Sequence, residues 1–213
     1  MAATLSTARN REALPPPPSS LKGMPTAGNV SSHIWFRAHA PTNDPWFFRP
    51  RPKLLDDSGR FDLPAPSGTC YVASDVESAI RERLGESAYH LKWLTADEID
   101  DTAVSRMHVP PNFDGHVADF TAAAGTAPLT REIHTTCNYA LTHDWALAAA
   151  KSGYRGIQYE PRFTNGDRRA LALFAKQGAP KPLWSSERLH GFSSLLSSPP
   201  VKVISFRAAV ILA

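Results

Sequence analysis

The stretch that most constrains the fold is residues 59–84, because it contains a turn, a strand and a helix in immediate succession. Its sequence is GRFDLPAPSGTCYVASDVESAIRERL. The β-branched and aromatic residues at positions 69–73 follow a Pro-Ser-Gly turn signal and predict a buried strand. Ser74 then predicts an N-cap, and Glu77 three residues later completes a capping box. The sequence therefore predicts a strand that leads directly into a helix.

The predicted helix has an apolar stripe with a carboxylate at its edge. Its apolar residues repeat at helical spacing: Val76, Ala79, Ile80 and Leu84. At 100° per residue, Glu82 lies about 60° from Ala79, on the shoulder of this stripe. A carboxylate at this position can face a cleft, whereas Glu77 and Arg81 point away from it.

Size and composition indicate one ordinary globular domain. The chain has 213 residues, of which 42% are hydrophobic and 20% charged, enough for a single core. The net charge of +3 gives no argument for a polyanionic partner. Two cysteines, Cys70 and Cys137, fit neither a disulfide framework nor a zinc site. We expect a cytoplasmic protein, because neither a signal peptide nor a membrane-spanning run is visible.

The N-terminal region differs in composition from the rest of the chain. Residues 1–30 are rich in Ala, Ser, Thr and Pro, with four consecutive prolines at positions 15–18. Such a segment favours polyproline II and adds little to a core. The sequence predicts a disordered arm over residues 1–30 and a folded domain over residues 31–213.

Strand patterns outnumber helix patterns in the folded domain. Besides residues 69–73, strands are predicted at 34–39, 89–94, 156–159, 169–174 and 201–206. A second helix is predicted at residues 137–152, ended by Gly153. Arg37 projects from the first of these strands. The predicted fold class is α+β, a single domain with a mixed β core and flanking helices.

Residues 46–53 interleave aromatic and cationic side chains, from Trp46 to Lys53. Single-stranded nucleic acid sites use such side chains for stacking and phosphate contacts. A non-catalytic nucleic-acid-binding module is therefore one alternative function. The other interpretation is a proline-stiffened loop whose aromatics fill the core, and the three prolines at positions 45, 50 and 52 favour it. Direct binding of nucleic acid is accordingly the weaker expectation.

Familiar catalytic motifs are absent from the chain, namely GxxxxGK, GxGxxG, HExxH and GxSxG. Its histidines show no ligand spacing, so we predict no metal site. Four reactive side chains remain: Arg37 on a strand, Arg60 in a Gly-Arg turn, Tyr71 on a strand and Glu82 on a helix. Isolated residues of these types are common on protein surfaces, so their chemistry alone does not define a site.

The order of several short motifs carries more information. Residues 35–37 read WFR, residues 59–62 GRFD and residues 71–74 YVAS, with Glu82 eleven residues after Tyr71. Residues 153–159, GYRGIQY, and 170–174, ALALF, follow. In this order and spacing, residues 33–178 resemble the RES domain family, toxins of bacterial toxin–antitoxin pairs. The resemblance implies an ADP-ribosyltransferase-like fold.

The resemblance also implies an activity, the consumption of NAD as substrate with no further cofactor. The family either releases nicotinamide to water or phosphate, or ADP-ribosylates a protein. Arg37 would hold the NAD pyrophosphate through its fork of donors, with help from Arg60. Tyr71 would place its ring against the nicotinamide or its ribose. Glu82 would stabilise the oxocarbenium-like transition state.

Two departures from the family pattern bear on the site. Ala38 stands where some relatives place an aromatic residue, and no serine occurs between residues 153 and 184 to match the serine of the family. We expect Thr135, Thr136 or Thr164 to supply a hydroxyl instead. Together with Gly59 and Arg60, Thr135 is the predicted substrate-binding set.

The expected partners are NAD and a helix-turn-helix antitoxin protein, with no membrane. A homodimer stays open as an alternative to a monomer, and a scaffold without catalysis as an alternative to an enzyme.

Overall fold

A seven-stranded mixed sheet forms the centre of the fold. The computed structural model describes residues 14–54, 58–91, 93–95, 101–124, 128–164, 166–189 and 202–204. Its strands are Ile34–His39 (β1), Ser67–Ala73 (β2), Trp93–Thr95 (β3), Ala103–His108 (β4), Val117–Asp119 (β5), Gly156–Tyr159 (β6), Ala170–Lys176 (β7), Ser186–Leu189 (β8) and Lys202–Ile204 (β9). Its helices are Val76–Leu91 (α1), Phe120–Ala123 (α2) and Tyr139–Lys151 (α3).

The strand order in the main sheet is β5-β6-β7-β2-β1-β4-β8. The β5–β6 pair is parallel, and the other pairs are antiparallel. β3 and β9 pair in parallel in a separate two-stranded sheet. The predicted α+β class with a mixed sheet is confirmed.

Pairing is uneven at the middle of the sheet. β2 pairs with β7 along its whole length, and β1 pairs with β4 in the same way. β1 and β2 meet at a single residue pair, Phe36 and Ala73. Because the two strands diverge from this pair, the sheet opens between them, and a cleft lies at this opening.

Apolar side chains form one cluster on each face of the sheet. One cluster packs α2 and α3 against the strands through large side chains: Phe61, Phe120, Trp145, Ile157 and Tyr159. The other contains the large side chains Trp35, Trp46, Phe48, Met107 and Phe113. The sheet is therefore covered on both faces, as its β-branched, aromatic and small residues require.

The aromatics of residues 46–53 belong to the second cluster. Trp46 and Phe48 are fully buried and meet the edge of the Trp184 ring, at centroid distances of 5.1 and 5.6 Å. Arg49, with the other cations of this segment, is exposed. The interpretation of this segment as a core-filling loop is confirmed. A stacking platform for bases would need these rings at the surface.

The N-terminal segment packs against the domain from Leu14 onward. Leu14 and Leu21 are buried in the first cluster. The carbonyl of Pro15 accepts a hydrogen bond from the Trp145 indole at 2.9 Å, and that of Leu21 accepts one from the Tyr154 hydroxyl at 3.1 Å. The expectation of a disordered arm was therefore wrong for residues 14–30, because these two leucines anchor it. Residues 1–13 lie outside the described residues.

The start of α1 differs from the predicted capping box. The Asp75 carboxylate accepts hydrogen bonds from the backbone N–H and the hydroxyl of Ser78, at 2.9 and 2.7 Å. Ser74 instead accepts a bond from the Arg169 N–H at 3.1 Å. The cap is thus Asp75, one residue later than predicted. Gly85, at φ 57°, interrupts the helical backbone of α1.

Other element boundaries follow the sequence in part. The predicted second helix is confirmed as α3, with Asn138 as N-cap and Gly153 in the left-handed region at φ 94°. β4 was not predicted, and α1 extends over residues that were predicted to be a strand at 89–91. In the described part of the chain, no helix is long and apolar enough to span a bilayer.

Candidate active site

A cleft of about 510 Å³ lies where β1 and β2 diverge. Five of the six predicted site residues line it: Arg37, Gly59, Arg60, Tyr71 and Glu82. The sixth, Thr135, does not. It ends the short 3₁₀ turn Arg131–His134, and its side chain is exposed. The structure therefore brings together the residues of β1, of the turn at 59–62, of β2 and of α1.

Arg37 fixes the loop that follows β1. Its Nη1 donates to the carbonyl oxygens of Pro45 and Phe47, the latter at 3.0 Å, and lies 2.7 Å from the Cys70 Sγ. Burial raises the pKa of the Cys70 thiol, although the nearby guanidinium opposes this rise. Arg37 is thus a loop anchor as well as a cation at the cleft.

The turn at 59–62 is closed by its own aspartate. Asp62 accepts the Gly59 N–H at 2.7 Å and the Tyr71 hydroxyl at 2.8 Å, and that hydroxyl accepts the Phe61 N–H at 2.8 Å. Burial raises the pKa of Asp62, and these hydrogen bonds oppose it. Burial also raises the pKa of Tyr71, as does the charge of Asp62. The Tyr71 hydroxyl is therefore part of the turn, and only its ring is left for a ligand.

Gly59 is required by this close packing. A Cβ at this position would lie 2.6 Å from the Tyr71 hydroxyl and 2.8 Å from Asp62 Oδ1. Any side chain would require the Tyr71 ring or the Asp62 carboxylate to move. The glycine of the Gly-Arg motif is thus needed for steric reasons.

Arg60 is buried, at 6% exposure, although it carries a charge. Its Nη1 donates to the Thr136 carbonyl at 2.7 Å, and its guanidinium lies over the Tyr139 ring at 5.4 Å from the centroid. These contacts offset part of the cost of burying the cation. The charge of Arg60 favours the ionised form of Glu82, more strongly than that of Arg162 does.

Glu82 faces the cleft from α1, as predicted. Its Oε1 accepts the Phe163 N–H at 3.0 Å. Burial raises the pKa of Glu82, while hydrogen bonds from the backbone of Phe163 and Arg162 and the charge of Arg60 oppose this rise. Burial and the charge of Glu82 raise the pKa of the neighbouring Tyr159 phenol well above its ordinary value. The carboxylate thus lies in a partly desolvated pocket, where the charges of Arg60 and Arg162 oppose the effect of burial.

His39 is a cleft residue that sequence reasoning did not select. It is buried, its Nδ1 lies 2.9 Å from the Ala40 carbonyl, and its Nε2 lies 2.9 Å from the Ser105 hydroxyl. Burial lowers its pKa. Its position two residues after Arg37 in a strand was the available signal, since alternate residues share a face.

The hydroxyls at the cleft also differ from expectation. Thr135, Thr136 and Thr164 are not among the residues that line it, whereas Ser58 is. Ser58 directly precedes Gly59, and its hydroxyl lies 3.4 Å from the Leu54 carbonyl, a long hydrogen bond. No motif marked this serine. Among the described residues, no cluster of His, Cys, Asp and Glu could hold a metal ion.

Comparisons with known proteins agree with the fold and with the motif order. The RES domain family matches residues 34–190 of the chain. A chain of the crystal structure of the M. tuberculosis MbcT–MbcA toxin–antitoxin complex superposes with a TM-score of 0.50 and 12% identity, over 77% of this chain and 88% of that one. At this identity the likeness concerns the fold alone. No curated protein matches the chain.

Proposed function

Because the chain belongs to the RES domain family, we propose that it cleaves the bond between nicotinamide and ribose in NAD. The observation that carries the proposal is the shared cleft, which Arg37 and Glu82 line from different elements. A guanidinium suits the pyrophosphate, and a carboxylate suits the cation that forms at the ribose. The cleft volume of about 510 Å³ also falls within the range of small-molecule sites.

Arg37 would bind the pyrophosphate. Its Nη1 is committed to the loop carbonyls, but its other guanidinium nitrogens make no hydrogen bond to any part of the chain that the structure describes. A fork held on one side by Pro45 and Phe47 is preorganised, so little rotamer entropy is lost on binding.

Glu82 would act at the scissile bond. The C1′–N1 bond breaks, its electron pair stays with the departing nicotinamide, and C1′ gains oxocarbenium character. The carboxylate stabilises this positive charge more than it stabilises the ground state, and so lowers the barrier. Water or phosphate then forms the new bond from its oxygen to C1′ and releases a proton. Arg60 would keep Glu82 ionised against the effect of burial.

Aromatic side chains around Glu82 would hold the nicotinamide end. The rings of Tyr71, Tyr139, Tyr159 and Phe163 line the cleft. Tyr71 and Tyr159 meet edge to face at 6.5 Å between centroids. Flat apolar walls suit a planar pyridinium ring and exclude water from the departing group.

The biological role would be that of a toxin controlled by an antitoxin. The family is one of toxins of toxin–antitoxin pairs, and the solved structure with the same fold comes from a toxin–antitoxin complex. Depletion of NAD would inhibit growth. A partner protein that covers the cleft would prevent it.

The direct test is to mix the purified protein with NAD and measure nicotinamide release by chromatography, with water, phosphate or added protein as acceptor. Glu82→Gln is the test variant. Glu77→Gln is its matched control, since Glu77 lies on the same helix but pairs with Arg81 at 2.9 Å, away from the cleft. We expect the control to cleave NAD and Glu82→Gln to be nearly inactive. Equal, negligible cleavage by wild type and Glu82→Gln with every acceptor would refute the enzymatic function.

A growth assay tests the role in the cell. Expression of wild type should arrest growth, and expression of Glu82→Gln at equal soluble level should not. Growth arrest by both proteins would mean that toxicity does not depend on NAD cleavage.

A further inference from the structure

Two adjacent polar residues of α3 are buried without any role in the proposed reaction. Thr142 and His143 are 0% and 1% exposed. The rest of the buried face of α3 is apolar, with Trp145, Ala146 and Ala149. Buried polar side chains are costly unless they make hydrogen bonds, so their partners are informative.

Both side chains bind the backbone of the turn at 59–62. The Thr142 hydroxyl donates to the carbonyl of Arg60 and also lies 3.2 Å from the Tyr139 carbonyl. Nε2 of His143 lies 2.8 Å from the carbonyl of Gly59. Because a carbonyl oxygen only accepts, this nitrogen is the donor. Two successive carbonyls of the turn are thus bound by two successive residues of one helix.

The same helix contacts the Arg60 side chain. The carbonyl of Thr136, three residues before α3, accepts a hydrogen bond from the Arg60 guanidinium at 2.7 Å. The guanidinium also lies over the ring of Tyr139, the first residue of α3. On its other side the turn is closed by Asp62 and Tyr71. Arg60 is therefore fixed at both its backbone and its head group.

We propose that Thr142 and His143 are positioning residues, which hold the Arg60 guanidinium against the carboxylate side of the cleft. The catalytic meaning of this role rests on the proposed function. Loss of either hydrogen bond lets the turn relax, so the guanidinium moves away from Glu82. The carboxylate then loses the stabilising charge of Arg60 and takes up a proton at higher pH.

The surroundings of Glu82 allow this effect to be isolated. Two cations act on it, Arg60 from the turn and Arg162 from the segment after β6, and the Tyr159 phenol faces it. In the part of the chain that the structure describes, no hydrogen bond joins Tyr159 to Thr142 or His143. A change at Thr142 or His143 therefore reaches Glu82 through the turn, which carries the charge of Arg60 and whose Phe61 ring packs against Tyr159 at 5.1 Å between centroids.

The test compares Thr142→Val, which removes the donor at nearly constant volume, with Thr142→Ser, which keeps it. The readouts are the acid limb of NAD cleavage and the titration of the Glu82 carboxyl by ¹³C NMR, assigned with Glu82→Gln. Thr142→Val should shift both midpoints to higher pH, and Thr142→Ser should leave them near those of wild type. Because the titration needs no turnover, a protein that does not cleave NAD refutes the proposed function and still tests the positioning.

Two further variants separate positioning from stability. Ala149→Gly weakens α3 without touching the turn, so it should lower the melting temperature and leave the titration of Glu82 unchanged. If Thr142→Val does not fold, His143→Gln and His143→Leu give the same comparison, since only glutamine retains an N–H donor near the carbonyl of Gly59. An unchanged midpoint in the variants without a donor, or an equal shift in Ala149→Gly, would overturn the proposal.

Discussion

The two sides of the cleft are built in opposite ways. On the arginine side, one nitrogen of Arg37 holds a loop by its carbonyls, and β1 touches β2 at one residue pair. On the carboxylate side, the turn at 59–62 is fixed by hydrogen bonds with Tyr71 of β2 and with α3, and Glu82 accepts a hydrogen bond from a backbone N–H. The first side depends on one charged group, and the second on a network.

This difference predicts which substitutions change the stability of the fold and which change the rate of the reaction. Removal of Arg37 leaves carbonyl groups without donors, so its loss affects the fold and the ligand together. Removal of the charge of Glu82 leaves its neighbours packed, since glutamine still offers an oxygen to the Phe163 N–H. We therefore expect substitutions on the arginine side to change stability and affinity, and those on the carboxylate side to change turnover.

The largest effect is expected for Glu82→Gln. Loss of one preorganised electrostatic group typically lowers kcat by about 10²–10³-fold. The shape of the side chain is kept, so the melting temperature should stay close to that of wild type. Steady-state nicotinamide release together with thermal unfolding measures both. A large loss of stability in Glu82→Gln, with little loss of turnover in the protein that remains folded, would contradict the expectation that the carboxylate side changes turnover rather than stability.

Arg37→Ala is expected to lower the free energy of unfolding by about 2–4 kcal/mol, because it deprives the carbonyls of Pro45 and Phe47 of their donor. Urea unfolding measures this loss. The control is Arg106→Ala on the neighbouring strand β4, whose partly exposed ion pair with Glu187 should contribute about 0–1 kcal/mol. Equal losses in the two variants would show that Arg37 does not anchor the loop.

Gly59→Ala tests how closely the turn at 59–62 is packed against Tyr71. The added methyl group would meet the Tyr71 hydroxyl, and overpacking of this kind costs about 1–3 kcal/mol. Gly28→Ala is not a suitable control, because that glycine has positive φ. Ala148→Gly in α3 is a suitable control, since it lowers helix propensity by about 1 kcal/mol and lies outside the turn. A Gly59→Ala protein as stable as wild type would mean that the turn tolerates a side chain.

The smallest effect is expected in the pH dependence of cleavage. The ionised carboxylate of Glu82 is the working form, so activity falls as pH falls through its pKa. Burial raises that pKa, and the acid limb should therefore lie above the ordinary range for glutamate. Arg60→Gln removes the opposing charge and should move the limb further up, whereas Arg60→Lys should move it less. An acid limb at the same pH in wild type, Arg60→Gln and Arg60→Lys would show that Arg60 does not affect the ionisation of Glu82.

Local signals in the sequence predicted the carboxylate side well. Helical periodicity alone placed Glu82 at the edge of the apolar stripe of α1, and the structure places it at the cleft. The cap was misplaced because Ser74 and Asp75 are both good N-caps, and the Arg169 N–H takes the hydroxyl of Ser74. Such tertiary competition has no local signature.

Contacts distant in sequence were not predictable in the same way. The packing of Leu14 and Leu21 depends on α3 and on residues near its ends, and no composition rule anticipates it. Strand β4 carries Ser105 and Arg106 in its centre, so its pattern is weak. Thr135 was selected as a hydroxyl to replace the missing serine of the family, but it follows the 3₁₀ turn Arg131–His134 with its side chain exposed.

The most direct test of the account is the binding of NAD to Glu82→Gln by calorimetry, compared with the double variant that also carries Arg37→Lys. We predict that Glu82→Gln binds NAD without cleaving it, and that the double variant binds at least about tenfold more weakly. Binding lost in Glu82→Gln alone, or equal in the two proteins, would contradict the division between an arginine that binds and a carboxylate that acts in the transition state.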